Sequence, residues 1–512
     1  MHYFLTIDNG GTNTKVVLID EHGAQVDVFS FPTKDIEPSP GFHEIQLDEL
    51  FKNLMHAIKT LINRMKVPIS EIVGITTVGH GKGLYVLNKD NRPFMNGILS
   101  ADSRAESLAE KYESNVNQIF EISHQHVMPS QAPVILKWLK DNRRADYDQI
   151  GAVLSNKDFI RYLLTGKVVQ ERGDASGNNL INLKTGEYDS RLTHFFGISE
   201  IYEALPSLVN ATDCCGQISK DVARQSGLPE GLSVYAGMFD IDACAIATGV
   251  LDDSLFSIIA GTWNMNIFPS RTLAPDSSGL MNSLLPTNQY LIEASSPTSA
   301  GNLNIIIKML MTAEIRDAQA SGKSIYDTLE SFLESTDATF TKVLFYPFLY
   351  GSNLSPDAEG SFIGLRSGTT KSELIKSVYE GICFAHRQHF EQLLAVLGHR
   401  PKAIRMSGGA VNSPSWVQMF ANVLNLPIEL TDVSELGGLG GAMAIGVGAN
   451  IFNDFGEAVN QMTHVIKRIE PDPRQVDLYA TKYETYQTFG RAMDNQWEQL
   501  DLMQRKMNTI DD

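Results

Sequence analysis

A chain of 512 residues exceeds what one hydrophobic core organises, so two or more domains are expected, and 43% apolar with 20% charged residues leaves no room for a large disordered region. A formal charge of −18 excludes an extended nucleic-acid surface, because a phosphate backbone is met by basic patches and none stands out. The cysteines Cys214, Cys215, Cys244 and Cys383 lack metal-ligand spacing, the apolar run at Tyr3 stops at Asp8, and the longest small-apolar stretch is too short to span a bilayer, so a reduced, soluble, cytoplasmic protein without membrane or nucleic-acid partners is expected.

The first element is an apolar, β-prone run from Tyr3 to Ile7. It leads through Asp8-Asn9-Gly10-Gly11-Thr12-Asn13-Thr14 into a second strand, Lys15 to Ile19. Glycine admits close backbone approach to a ligand, Thr12 and Asn13 add donors, and Asp8 offers a carboxylate able to hold Mg²⁺ directly or through water. Helical periodicity runs from Leu47 to Met65, and Ile72 to Thr76 reads as a strand. In Val78-Gly79-His80-Gly81-Lys82-Gly83-Leu84 the alternate glycines clear one face of an extended segment. His80 and Lys82 then share the other face, a pairing suited to a polyol. Ser100-Ala101-Asp102-Ser103-Arg104 adds a polar group at the head of a helix.

From Asn117 to Arg191 the pattern is helices with short links, among them Pro133 to Asp141 and Lys157 to Leu164, the latter stopped at Gly166. Asp213 to Gly216 reads as a turn, and an apolar strand from Val234 delivers Asp240 at its junction with a small-residue helix. Asp242 competes with Asp240 as the carboxylate of a cleft, and spacing does not choose between them. A new unit begins near residue 252 with a second hairpin, Leu255 to Ile259, Ala260-Gly261-Thr262-Trp263-Asn264 and Met265 to Phe268. Two such glycine turns in one chain are read as a clamp on a polyphosphate.

Glu293 to Asn302 is a hydroxyl-rich loop before a helix expected over Leu303 to Leu310, whose start suits an anion. Leu344 to Leu349 is an apolar run followed by a loop, Tyr350 to Asn353. Thr370-Lys371-Ser372-Glu373 is a capping box for a core helix ending at Gly398. Ala403 to Met406 is a strand leading to Ser407-Gly408-Gly409-Ala410, with Asn412 ahead of a helix over Trp416 to Leu424, an arrangement that holds a flat base against bare backbone. Glu435-Leu436-Gly437-Gly438-Leu439-Gly440-Gly441-Ala442 reads as a repeat of that device. Neither the dinucleotide fingerprint nor the P-loop pattern occurs in its required context.

In this order, from about Tyr3 to Gly456, these stretches resemble the FGGY carbohydrate kinases of the actin-like ATPase superfamily. The resemblance implies an α/β fold of two actin-like ATPase (ribonuclease H-like) domains, each a five-stranded mixed sheet with flanking helices, and a central ATP and sugar cleft. Residues 1–248 would form the sugar-binding N-terminal domain and 249–512 the nucleotide-binding C-terminal domain. Gly81-Lys82-Gly83-Leu84, Ile98 to Ala105, Gly186-Glu187-Tyr188-Asp189, Ala204-Leu205-Pro206, Glu293 to Gly301 and Pro347 to Asn353 look like the L-xylulose (3-keto-L-gulonate) kinase branch.

What the resemblance implies for residues is Asp240 as general base and Asp8 as the Mg²⁺-linked carboxylate. It also implies Thr12, Asn13, Lys15, Gly261, Thr262 and Gly301 on the ATP phosphates, Gly408, Gly409 and Asn412 at adenosine, and His80, Lys82 and Asp102 with Asp240 on the sugar. Gly11 stands where many members carry Thr, His80 where Gln is common, and Lys82 where xylulose kinases often have His. A cationic Lys82 suits a substrate carboxylate; another pentulose, gluconate or a polyol are the competing substrates. Relatives of this kind are often homodimers. A filament protein or chaperone ATPase of the same superfamily shares the phosphate clamp but lacks the polar elements around His80, Lys82 and Asp102, and intact Asp8 and Asp240 count against a sugar sensor without catalysis.

Overall fold

The computed structural model describes residues 1–352, 357–494 and 496–508, so Asn353, the end of the expected loop after Tyr350, lies outside the described residues. The chain forms two compact units. The first joins Met1–Asp252 to Pro269–Ile292 and Asp432–His464; the second comprises Asp253–Phe268, Glu293–Thr431 and Val465–Asp512. A single cut between 248 and 249 therefore misses two later excursions of the chain that pack into the first unit. Local sequence patterns carry no sign of such long-range returns.

The first unit is built on a six-stranded sheet, one more strand than expected, in the order Cys214–Gln217, Ser233–Phe239, Ile72–Gly79, Tyr3–Asn9, Asn13–Asp20 and Gln25–Pro32. Tyr3–Asn9 and Asn13–Asp20 form the antiparallel hairpin, with Asn9 opposite Thr14. Tyr3–Asn9, Ile72–Gly79 and Ser233–Phe239 run parallel. Strands covered on both faces read as continuous apolar runs, which is why Phe4, Leu5 and Ile7 are all buried. Leu5, Ile7, Val16 and Leu18 share a core with Leu50, Leu54, Ile58 and Leu61 of helix Leu47–Arg64. Helix Leu436–Gly448 packs on Tyr3–Asn9 and Ile72–Gly79.

Two expectations need correction here. The segment expected to be helices with links contains the strand Ile150–Leu154, paired with Tyr85–Asn88, and Val169–Glu171, paired with Ser207–Val209. Cys214–Gln217 is an edge strand on Ser233–Phe239 rather than a turn. Both depend on partners distant in sequence, which short-range propensity does not register.

In the second unit Leu255–Ala260 pairs antiparallel with the strand that begins at Asn264 and parallel with Ala403–Ser407, which lies parallel to Ile428–Thr431; Val465–Ile469 closes that edge antiparallel. Helix Lys371–Leu397 opens on the Thr370–Glu373 capping box, ends at left-handed Gly398, and buries Ile375, Val378, Ile382, Phe390 and Leu393. Pro at the first turn and Ser413 as N-cap open helix Pro414–Leu424.

Candidate functional site

The parallel register of the first unit sets its polar residues side by side. Asn9 is level with Gly79, and Gly79 with Phe239, so the three strands end together and Gly10, His80 and Asp240 follow on one edge, with Asp8 a residue behind. The carboxyl ends of parallel strands are where ligands bind in open α/β sheets. His80 N donates to Asn9 O at 3.2 Å, tying two of these ends together. Ser233–Phe239 reaches the edge through an irregularity between Tyr235 and Met238, where Gly237 takes φ 75° against the Thr77 carbonyl. Such a bulge re-aims the residues that follow.

Helix Leu436–Gly448 seats against this edge by its glycines. Gly437 meets the Asp8 carboxylate, Gly438 meets Val17, Gly440 meets the Ala243 backbone and Gly441 meets Thr6 and Thr76, while Thr6 Oγ1 donates to Gly438 O at 2.9 Å. The stretch expected to repeat a base-binding turn is thus a close-packed helix, whose N-terminal end faces Asp8. Burial pushes the Asp8 carboxyl up to about 6, with Lys15 pulling it down and Glu435 adding to the rise. Lys15, expected on the ATP phosphates, is ion-paired with Glu435 at 2.6 Å. Thr12 and Asn13 are exposed at the hairpin tip, which Gly10 N closes on Asn13 O at 3.0 Å.

The two competing carboxylates differ in burial. Asp240 is partly exposed at the strand end. Asp242 is 0% exposed, and neither of its side-chain oxygens has a hydrogen-bond partner. Burial first, then the charges of Glu171, Asp174 and Asp240, raise the Asp242 carboxyl well above the usual carboxylate range, which favours its protonated form.

His80 is buried, with Nδ1 3.3 Å from Gly81 O and Nε2 without a partner; burial holds its imidazole down to about 4. The extended segment expected from the alternating glycines ends at Gly79. Lys82 (φ 65°) and Gly83 (φ 78°) form a left-handed bend, Gly81 abuts the Phe239 ring, and Lys82 is only partly buried. The glycines answer close approach and positive φ, not a strand period. Asp102, expected on the sugar, is instead enclosed: it accepts from Arg104 Nε at 2.9 Å, Arg104 Nη2 at 2.8 Å and His43 N at 2.7 Å. Arg104 also reaches Glu44 at 2.8 Å and lies 4.3 Å from the Phe42 ring centre.

Sequence reasoning missed a buried ionic cluster behind Asp242. Lys157 Nζ lies 3.0 Å from Asp158, 3.4 Å from Glu171 and 3.8 Å from Asp174, and Arg161 pairs with Asp158. Burial pushes the Asp174 carboxyl up to about 7.

The second unit uses the same device. Ile259 is level with Ser407 in parallel strands, so Gly261 and Gly408 follow on one edge. Ala300 N donates to Gly261 O at 2.9 Å, and helix Ala300–Leu310 starts earlier than expected, with Gly301 in its first turn close to Thr262. Gly408 has φ 88°, and a β-carbon there would lie 2.7 Å from the Ala260 carbonyl. Gly409–Asn412 is a short 3₁₀ turn with Asn412 exposed. Gly261, Thr262, Gly301 and Gly408 are therefore brought together.

Among the described residues no helix is long and apolar enough to cross a membrane. Residues 3–247 match the N-terminal domain of the FGGY family of carbohydrate kinases, and residues 256–449 its C-terminal domain. The L-xylulose/3-keto-L-gulonate kinase of Escherichia coli (strain K12) is 32% identical over 96% of this chain and 97% of its own length. The probable L-xylulose kinase of Haemophilus influenzae is 30% identical over 97% and 100%. The ligand-bound xylulose kinase of Lactobacillus acidophilus has the same fold, with a TM-score of 0.88 at 22% identity over 98% of this chain and 100% of that one. The chain belongs to the FGGY family of carbohydrate kinases.

Proposed function

We propose that this kinase transfers the γ-phosphate of ATP to a terminal hydroxyl of a ketose, with L-xylulose or 3-keto-L-gulonate as substrate and Asp240 as general base. The observation that carries the base assignment is the contrast between Asp240, partly open beside His80 and Asp8, and Asp242, fully buried with both oxygens unpartnered. Asp240 accepts the hydroxyl proton as that oxygen attacks phosphorus. In the first unit Thr12 and Asn13 offer donors to phosphate oxygens. In the second, Gly261, Thr262 and Gly301 do the same, and Gly408, Gly409 and Asn412 take adenosine. Partly exposed Lys82 suits a substrate carboxylate, and Asp102 acts on the sugar side by fixing Arg104.

Among the described residues no group of three or more His, Cys, Asp or Glu side chains is placed to hold a metal ion alone. Mg²⁺ takes one or two carboxylates, waters and substrate phosphates, and Asp8 fits that donor set. Bound there, it supplies charge neutralisation of the phosphates. The substrate is tested by initial rates with ATP across L-xylulose, D-xylulose, L-ribulose, D-ribulose, 3-keto-L-gulonate, gluconate and glycerol; kcat/KM highest for one of the last two would sink this reading.

Two substitutions probe the supporting geometry. Gly408→Val strains a left-handed residue against the Ala260 carbonyl and is expected to cost roughly 2 to 3 kcal/mol of stability and to weaken ATP binding. Urea unfolding and an ATP titration read both, and an unaltered ATP affinity would remove Gly408 from the nucleotide site.

The second concerns pH. His80 has its folded-state value near 4 against 6.5 ordinarily, so the unfolded chain takes the proton first as pH falls. The associated stability is present above pH 6.5 and lost toward pH 4, by about 3 kcal/mol in all. His80→Gln should flatten the urea midpoint between pH 7 and 4.5; parallel profiles would contradict it.

A further inference from the structure

A cleft of about 940 Å³ opens on the first unit between helix Arg172–Gly177 and residues 184–186, 210–212 and 284–290. None of the residues given above to phosphate, base or sugar lines it. The volume suits a small ligand. In a chain of net charge −18, its wall carries Arg172, Lys184 and Arg271. Its one acid, Glu171, is turned inward: the two oxygens accept from Gly173 N at 2.7 Å and Asp174 N at 3.0 Å, and Lys157 lies 3.4 Å away. Arg172 is held by Gly186 O and by Glu187 at 2.8 Å, and Lys184 is paired with Glu121 at 3.3 Å. Arg271 is exposed and makes no ion pair among the described residues. Thr185, Asn210 and Thr287 complete a hydroxyl- and amide-bearing wall. Guanidinium forks with such neighbours match a phosphate monoester carried on a polyol.

The floor of this cleft adjoins the reacting end of the sheet. A β-carbon at Gly173 would lie 2.9 Å from Asp242 Oδ2 and 3.0 Å from Leu284 O, so one layer of backbone separates the cleft from the first turn of helix Asp240–Ala247. We propose that the cleft is a second, regulatory site for a small phosphorylated polyol, whose occupation changes the turnover of the kinase by displacing helix Arg172–Gly177 against Asp242. Binding does not depend on the assignment of Asp240; only the kinetic readout rests on the chain being a kinase.

Isothermal titration of the full chain, without nucleotide or sugar substrate, uses D-ribose 5-phosphate and inorganic phosphate as probes, with Arg271→Glu and Arg271→Lys as variants. Arg271 is exposed and outside the catalytic machinery, so basal kcat and KM should stay unchanged in both. The expected result is that D-ribose 5-phosphate binds at least tenfold more tightly than inorganic phosphate, Arg271→Glu weakens it tenfold or more, and Arg271→Lys, which keeps the charge but not the fork, weakens it less than Arg271→Glu. In wild type the same probe should change kcat or sugar KM at least twofold, and Arg271→Glu should abolish that response. No binding, binding indifferent to Arg271→Glu, equal binding of inorganic phosphate, or Arg271-dependent binding without a kinetic response would each overturn the proposal. Loss of all activity in every preparation would instead count against the kinase reading, leaving the binding result intact.

Discussion

Asp240→Asn is expected to lower turnover by about 10² to 10⁴, the range for loss of a positioned general base. The amide keeps the shape of the side chain at the end of Ser233–Phe239 but cannot take the hydroxyl proton. KM for sugar and ATP should therefore move far less than kcat. Asp242→Asn is the matched control. Its carboxyl is buried, pushed by that burial toward the protonated form, and has no hydrogen-bonded oxygen to lose, so turnover should stay within about tenfold of wild type. A coupled ADP-release assay reads both. If Asp242→Asn were the inactive variant and Asp240→Asn the active one, the base would be misassigned.

Lys157→Met should cost about 3 to 5 kcal/mol, as removal of one partner from a buried ion pair usually does. Asp158 keeps Arg161, but Glu171 and Asp174 lose the cation within 4 Å of them. The sign with pH follows from Asp174, whose carboxyl stands near 7 with Lys157 in place. Lys157 lowers that value, so without it Asp174 holds its proton to higher pH, and the variant is penalised most where wild type would ionise it. The loss in urea midpoint should thus be larger at pH 8 than at pH 6. An equal loss at both would show that Lys157 stabilises only through Asp158 and Glu171.

Much of the framework around the site was legible in the sequence. The two glycine hairpins, the strand that ends at Asp240, the capping box at Thr370 and the double glycine after Ala403–Ser407 all lie where local rules place them. Each is specified within a few residues, by a turn, a cap or an apolar run. The extended segment expected through His80 and Lys82 stops at Gly79 for a reason equally local in kind: alternate glycines were read as a strand period, when they serve left-handed φ and the approach of Phe239. Asp102 is a different case. A carboxylate two residues before an arginine gives no sign of whether it faces a ligand or that arginine.

Taken alone, the sequence determined the α/β class, the family and the two glycine hairpins, because those follow from short-range propensity and ordered motifs. Tertiary structure alone decided which of Asp240 and Asp242 is open, that Lys15 is held by Glu435, and that the helix from Leu436 returns to the first unit. Thr6 and Gly438 hydrogen-bond across 432 positions of sequence. Burial and ion pairing are properties of what packs against a residue, and contacts that distant leave no period or spacing in the residues on either side.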